Sequence, residues 1–182
     1  MRALWLASVG VTVALALPGA SLAASVPVTG LISGSALSVG TSLAPSFSAN
    51  LDAGDATSSY SLALSTQDTR GTGADWDETI TSTQFTTGAP NDYTLPDSAS
   101  TATGVSSISG GGTSTAPADA IAYPVAIPSG PSAPTAVKFF DTTANNGMGR
   151  FTIAPIVGVF VPQDSYSGTY RSTLTLAIIS VP

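Results

Sequence analysis

Charge is scarce in this chain, and it gathers in one place. Between Ser65 and Phe85 ("STQDTRGTGADWDETITSTQF") lie Asp68, Arg70, Asp75, Trp76, Asp77 and Glu78. Only 9% of the residues are charged, against roughly 25% in ordinary soluble domains, so the cluster needs a reason. Carboxylates without other partners suit two kinds of chemistry. Asp75, Asp77 and Glu78 could act as paired carboxyls in glycoside hydrolysis, and either they or Asp52 and Asp55 in "LDAGDA" could offer hard oxygens to calcium. Neither pattern has the required spacing. A catalytic pair flanks its bond from separate elements, whereas these are sequence neighbours on one turn. No EF-hand spacing is present. The chain has no His and no Cys, which excludes Ser-His-Asp and Cys-His machinery and zinc ligation. These observations predict a non-enzymatic protein without metal or other cofactor.

Asp68 and Arg70 are suited to structure. "LALSTQDTRG" runs as a strand into a Gly turn, and Trp76 opens the next strand, "DWDETITSTQF". An Asp-x-Arg pair at a strand end ties a loop down through charge-assisted hydrogen bonds. Trp76 is either a core anchor or a sugar-stacking platform; the area its ring buries favours the core. "LPDSA" (Leu95–Ala99) has the look of a sortase motif but lies mid-chain, so it reads as a Pro-containing turn.

The elements that must hold these residues are strands. In "SSYSLALSTQ", Tyr60, Leu62 and Leu64 alternate with Ser61, Ala63 and Ser65; in "GTYRSTLTLAIIS", Tyr170, Leu174, Leu176 and Ile178 share a face. Period-two alternation marks strands with one buried and one wetter face, as in antiparallel sheets. Further strands are expected at Val26–Ile32, Ser46–Leu51, Glu78–Phe85, Ile121–Ile127, Ala136–Phe140, Arg150–Ala154 and Ile156–Val161. Turn-forming clusters such as "DAGD", "GAPND" and "NNGMG" separate them. The pattern predicts an all-β fold, a single antiparallel β-sandwich with long Gly/Ser/Thr/Pro-rich loops, with barrel closure as the alternative. Asp97–Asp119 is the weakest region, with a short edge strand expected around Val105–Ile108.

Met1–Ala23 has the layout of a secretory signal peptide: Arg2, an apolar run from Ala3 to Leu17, and Ser21-Leu22-Ala23 before the cut. The apolar run is shorter than the roughly 20 residues of a spanning helix. Its removal leaves 159 of the 182 residues, residues 24–182, as one domain without a transmembrane segment. Arg2 goes with it, so 4 basic residues face 11 acidic ones, which argues against nucleic acid as a partner. A secreted, extracellular or wall-associated location is expected.

Two blocks of this sequence resemble a known family. "LALSTQDTRGTGADW" resembles the first signature of WxL-domain bacterial cell-surface proteins, a strand leading into Asp-x-Arg-Gly and then a Trp. "NNGMGRFTIAPIVGVFVPQDSYSGTYRSTLTLAIISVP" resembles their closing pattern. Trp76 is followed by Asp77-Glu78 where the family has Trp-x-Leu, and the last strand carries Leu174-Thr175-Leu176 without Trp, as in a divergent, WxL-like member. The resemblance implies a secreted β-domain held non-covalently at the cell surface, with peptidoglycan or other surface proteins as partners. It singles out Asp68, Arg70, Gly71, Trp76, Gly168, Tyr170, Leu174 and Leu176 as a structural or wall-binding signature. Two other functions stay open. A carbohydrate-binding module would need an exposed aromatic platform around Trp76 or Tyr93. A self-assembling surface subunit would need an unpaired edge, expected near Val26–Ile32.

Overall fold

The computed structural model describes residues 27–41 and 44–181; the expected signal peptide, and Val26 at the head of the first expected strand, lie outside these. Among the described residues the strands are β1 (Leu37–Thr41), β2 (Ala56–Ser61), β3 (Leu64–Asp68), β4 (Trp76–Thr83), β5 (Ser100–Gly111), β6 (Val125–Ala126), β7 (Ser129–Gly130), β8 (Val137–Thr142), β9 (Gly149–Val161) and β10 (Leu174–Ser180). A 3-10 turn, Leu51–Ala53, is capped by the Asn50 side chain, which accepts from the Asp52 N–H. The fold is all-β.

The strands form a sandwich of two sheets. In the larger, β9 is central: β5 runs antiparallel along one side, and β2 and β3 lie end to end along the other. β1 flanks β3, and β6 flanks the start of β5. In the smaller sheet β4 is central, between β10 on one side and β8 with β7 on the other. Among the described residues all strand pairs are antiparallel except the two-residue β4–β7 contact. Alternation along the strands turns Leu64, Phe151, Ile153, Val157 and Val159 of the larger sheet into the core. Trp76, Ile80, Phe139 and Phe140 of the smaller sheet enter the same core. Full burial of each aliphatic or Phe side chain contributes roughly 1.5–3 kcal/mol.

Two departures from strict alternation have clear causes. Arg150–Ala154 and Ile156–Val161, expected as separate strands, form one strand that passes through Pro155. A central proline cannot donate to the ladder, so its neighbours must adapt. On one side β2 and β3 break at Leu62-Ala63, with the Leu62 N–H donating to the Pro155 carbonyl at 3.0 Å. On the other, β5 shifts register twice around Val105, and the skipped Thr103 and Ser106 donate their hydroxyls to the carbonyls of Ile156 and Ala154. The second departure is in β8. A bulge opposite Glu78/Thr79 lets consecutive Phe139 and Phe140 both be buried, which a flat strand forbids.

Several expected elements are corrected. The strand at Val105–Ile108 is twelve residues long, Ser100–Gly111, because β9 offers it a partner along nearly its whole length. Ile121–Ile127 is reduced to Val125–Ala126. Ser46–Leu51 is not a strand, and it runs into the 3-10 turn. Residues 27–32 form no strand either. Met1–Ile32 and Ser33–Pro182 separate as two units, and the described end of the first carries Val28, Leu31 and Ile32 fully exposed.

Candidate functional site

The residues singled out from the sequence fall into two groups at opposite ends of the smaller sheet. β4 and β10 pair Trp76 with Ser180 at one end and Ser82 with Leu174 at the other. At about 3.4 Å per residue the two ends are roughly 20 Å apart.

The first end is closed. Asp68 ends β3 and is 2% exposed. Arg70 folds back so that Nε and Nη2 each donate to one Asp68 oxygen at 2.9 Å, a bidentate pair, while the Arg70 backbone N–H adds a third bond at 3.1 Å. Nη2 also donates to the Ala74 carbonyl at 2.8 Å, and Nη1 to the Ser180 hydroxyl. Burial alone would raise the Asp68 carboxyl, but hydrogen bonds from Arg70 and its charge outweigh that and hold it below the ordinary carboxylate range. Gly71 has φ +71°, a left-handed conformation that glycine adopts without strain. The pair thus locks the turn onto the end of β10, where the Val181 N–H donates to the Asp75 carbonyl.

Trp76 lies beneath this turn and is 0% exposed. It stacks on Phe140 with ring centroids 5.8 Å apart, and its indole N–H donates to the Gly147 carbonyl at 3.2 Å. Gly147, in the "NNGMG" loop, has φ +67°, and a Cβ there would sit 2.8 Å from the indole nitrogen. Nothing in the sequence marked this loop as the roof over Trp76. The indole is a core anchor and offers no sugar-stacking face.

The neighbouring carboxylates cannot work as a pair. Adjacent residues of a strand point to opposite faces. Asp77 faces out, 3.5 Å from Lys138 Nζ. Glu78 faces in, 1% exposed, with Oε1 accepting from the Thr66 hydroxyl at 2.6 Å across the two sheets. Its Oε2 is buried without a partner. Burial pushes the Glu78 carboxyl up to about 7; the Thr66 bond opposes this and the nearby Asp119 charge adds to it. Asp119 itself lies with Tyr123, whose hydroxyl is 3.0 Å from Oδ2 and 2.7 Å from the Phe139 carbonyl. Of the calcium candidates, Asp55 accepts from the Gln163 N–H at 2.9 Å and Asp52 lies in the capped 3-10 turn. Among the described residues no three His, Cys, Asp or Glu side chains converge as metal ligands. Leu95 of "LPDSA" is buried, and the motif turns through an Ala99 N–H to Pro96 carbonyl bond.

The second end is open. A groove of about 1270 Å³ lies between β2 and β10 and is roofed in part by the segment before the 3-10 turn. Leu62, Val161, Leu174 and Leu176 form its apolar floor. Phe47 stacks on Tyr60 at 6.2 Å and meets Phe85 edge-on at 5.5 Å. Burial pushes the Tyr60 phenol up to about 12. At the rim, Tyr93 and Tyr166 stack 3.8 Å apart with Tyr166 61% exposed, and the Tyr170 hydroxyl donates to the Tyr166 carbonyl at 2.9 Å. Gly168 lies in the same loop. Asp52 and Arg171 bring the charges, and Ser and Thr side chains make up most of the remaining polar lining.

The first signature block and the last strand therefore meet at one end of the sheet, through Arg70 and Trp76 with Ser180 and through Asp75 with Val181. Gly168, Tyr170, Leu174 and Leu176 belong to the groove. Phe47, Tyr60 and Tyr166 complete it, and sequence reasoning missed them because the strand and the two loops that carry them meet only in the fold. In comparisons with known proteins, no family model matches this chain, and no curated protein and no solved structure is significantly similar to it. Among the described residues no helix is long and apolar enough to cross a membrane.

Proposed function

We propose that this is a non-catalytic, exported, WxL-like protein that associates non-covalently with the bacterial cell envelope and holds a wall polymer, peptidoglycan, at the rim of the groove. The observation that carries this reading is the Tyr93–Tyr166 stack, an exposed aromatic face beside Tyr170 in a hydroxyl-rich loop. Flat aromatic faces receive the apolar face of sugar rings, and surrounding hydroxyls and amides bond their rims. The sequence resemblance supports the location. The buried Trp76 plays its part from within, by fixing the turn and the strand on which the groove depends.

The test is a pull-down of the exported protein on purified peptidoglycan, comparing the parent with Tyr166→Ala and Tyr93→Ala. Both variants are expected to fold normally and to lose most of the bound fraction. Unchanged wall binding in both would sink the rim assignment. Turnover of wall glycan that disappears in Asp77→Asn would replace the whole reading with an enzymatic one.

A further inference from the structure

The groove continues inward from the tyrosine rim, and its interior differs from the rim in chemistry. Phe85 lies inside, and its carbonyl accepts from the Leu95 N–H at 3.0 Å. Two residues on, the Thr87 N–H donates to the Tyr93 carbonyl at 2.9 Å, so one hairpin carries both a rim ring and an interior ring. Tyr170 makes the same link on the other side. Its hydroxyl donates to the Tyr166 carbonyl, and Leu174 and Leu176 follow it along the lining. At about 3.4 Å per residue the path from Tyr170 to Leu176 is roughly 20 Å long.

That interior is an unfilled part of the core. At the other end of the smaller sheet Trp76, Phe139 and Phe140 are 0% exposed. Here Phe47, Tyr60, Phe85, Leu174 and Leu176 pack on the core yet stay only partly buried, around a space of about 1270 Å³. A drug-sized ligand occupies a pocket of roughly 300–1,000 Å³. No charge stands on the floor: the charged residues of the described lining, Asp52 and Arg171, are both exposed. The strand edges beside the groove are covered by the chain itself. β1 lies against β10, and the segment before the 3-10 turn lies against β2, where the Ser58 hydroxyl donates to the Ser48 carbonyl at 2.6 Å. A peptide strand finds no ladder to join, so the occupant that fits is one without backbone groups to satisfy. The formal net charge of −6 disfavours an anionic head at the mouth but not a neutral sugar.

We propose that the groove takes the apolar chain of a glycolipid whose sugar stacks on Tyr166 at the rim. The sugar half of this inference rests on the rim reading above; the apolar half rests on the groove itself. The sugar's apolar face meets the Tyr166 ring, and Ser and Thr hydroxyls of the lining bond its edge. The chain runs past Phe85 and Phe47 to the floor of Leu62, Leu174 and Leu176. It covers the half-buried leucines and displaces the water over them, which is the driving force. A polymer of bare sugars uses the mouth alone.

The experiment is a calorimetric titration of the exported chain with alkyl β-N-acetylglucosaminides from butyl to decyl, each below its micelle concentration. Affinity is expected to rise about fourfold for each added methylene, then to level off once the chain spans the floor. An affinity independent of chain length overturns the inference. Leu174→Asn and Leu176→Asn, melted alongside the parent, are expected to flatten the rise; an unchanged rise in both overturns it too. Where either variant folds poorly, the parent series still decides. A decyl sulfobetaine supplies the chain without the sugar and is expected to bind at least about tenfold more weakly than the decyl glycoside. Equal binding of the two would make this a site for any amphiphile and overturn the assignment to a glycolipid. Tyr166→Ala is expected to weaken every glycoside by one common factor and to keep the slope per methylene. Retention on peptidoglycan reports the rim and the slope reports the groove, so the two readings fail separately.

Discussion

The two ends of the smaller sheet are built on opposite terms. At the turn end the strong groups of the turn itself are paired: the Arg70 guanidinium reaches both oxygens of Asp68, a carbonyl and a hydroxyl, and the Trp76 N–H finds the Gly147 carbonyl. At the groove end the same two strands continue, but the inward Leu174 and Leu176 of β10 are only partly buried and the Tyr166 ring faces solvent. A buried pair that is fully hydrogen-bonded fixes geometry, because any alternative strands a charge. A half-covered apolar floor leaves free energy to be gained by whatever covers it. One end serves stability and the other association, and substitutions should separate them.

The largest effect is expected at Trp76. Trp76→Ala removes a fully buried indole and its stack on Phe140, and should destabilise the domain by about 3–5 kcal/mol. Thermal and urea melts check this. A variant that melts with the parent but loses wall binding would erase the distinction between the two ends.

Arg70→Ala should follow closely, at about 3 kcal/mol, since it leaves the Asp68 carboxylate buried and unpaired. The pH dependence sharpens the assignment. The folded pKa of Asp68 lies below its unfolded value, so the pair stabilises above the ordinary carboxylate range and the benefit is lost as pH falls through the folded pKa. Unfolding titrations should therefore show the parent and Arg70→Ala converging in acid.

Glu78 gives the opposite slope. Its folded pKa is raised to about 7, so its contribution is fully present below the unfolded value near 4.5 and lost as pH rises through 7. Glu78→Gln keeps an acceptor for Thr66 without the charge. It should match the parent in acid and be more stable at pH 8 by up to about 3 kcal/mol. Equal stabilities at pH 8 would mean that the carboxylate is solvated on ionisation, and the core between the sheets is looser than drawn.

The smallest effect on stability is expected at the rim. Tyr166→Ala removes an exposed ring and should change stability by no more than about 0.5 kcal/mol, while reducing retention on peptidoglycan. A large loss of stability would show that the Tyr93–Tyr166 stack is structural, and the two ends would no longer differ in kind.

The all-β fold, the strand at Leu174–Ile178 and the turn at Asp68–Gly71 were legible because period-two alternation and turn chemistry are local properties; the run through Tyr60, Leu62 and Leu64, read as one strand, is two, broken at Leu62-Ala63 opposite Pro155. Sequence also determined what chemistry was missing, since a chain without His or Cys cannot supply imidazole or thiolate. Partnership was decided only in the fold. Val105–Ile108 lengthened to Ser100–Gly111 because β9 lay beside it, and β9 ran through Pro155 because both neighbours could bend around it. Phe139 and Phe140 could both turn inward only once a bulge formed against β4. The placement of Glu78 against Thr66 and the meeting of Phe47, Tyr60, Phe85 and Tyr166 around one groove join residues far apart in the chain. Alternation tells which way a side chain points along its own strand. What it points at depends on long-range pairing, and that is a property of the tertiary structure alone.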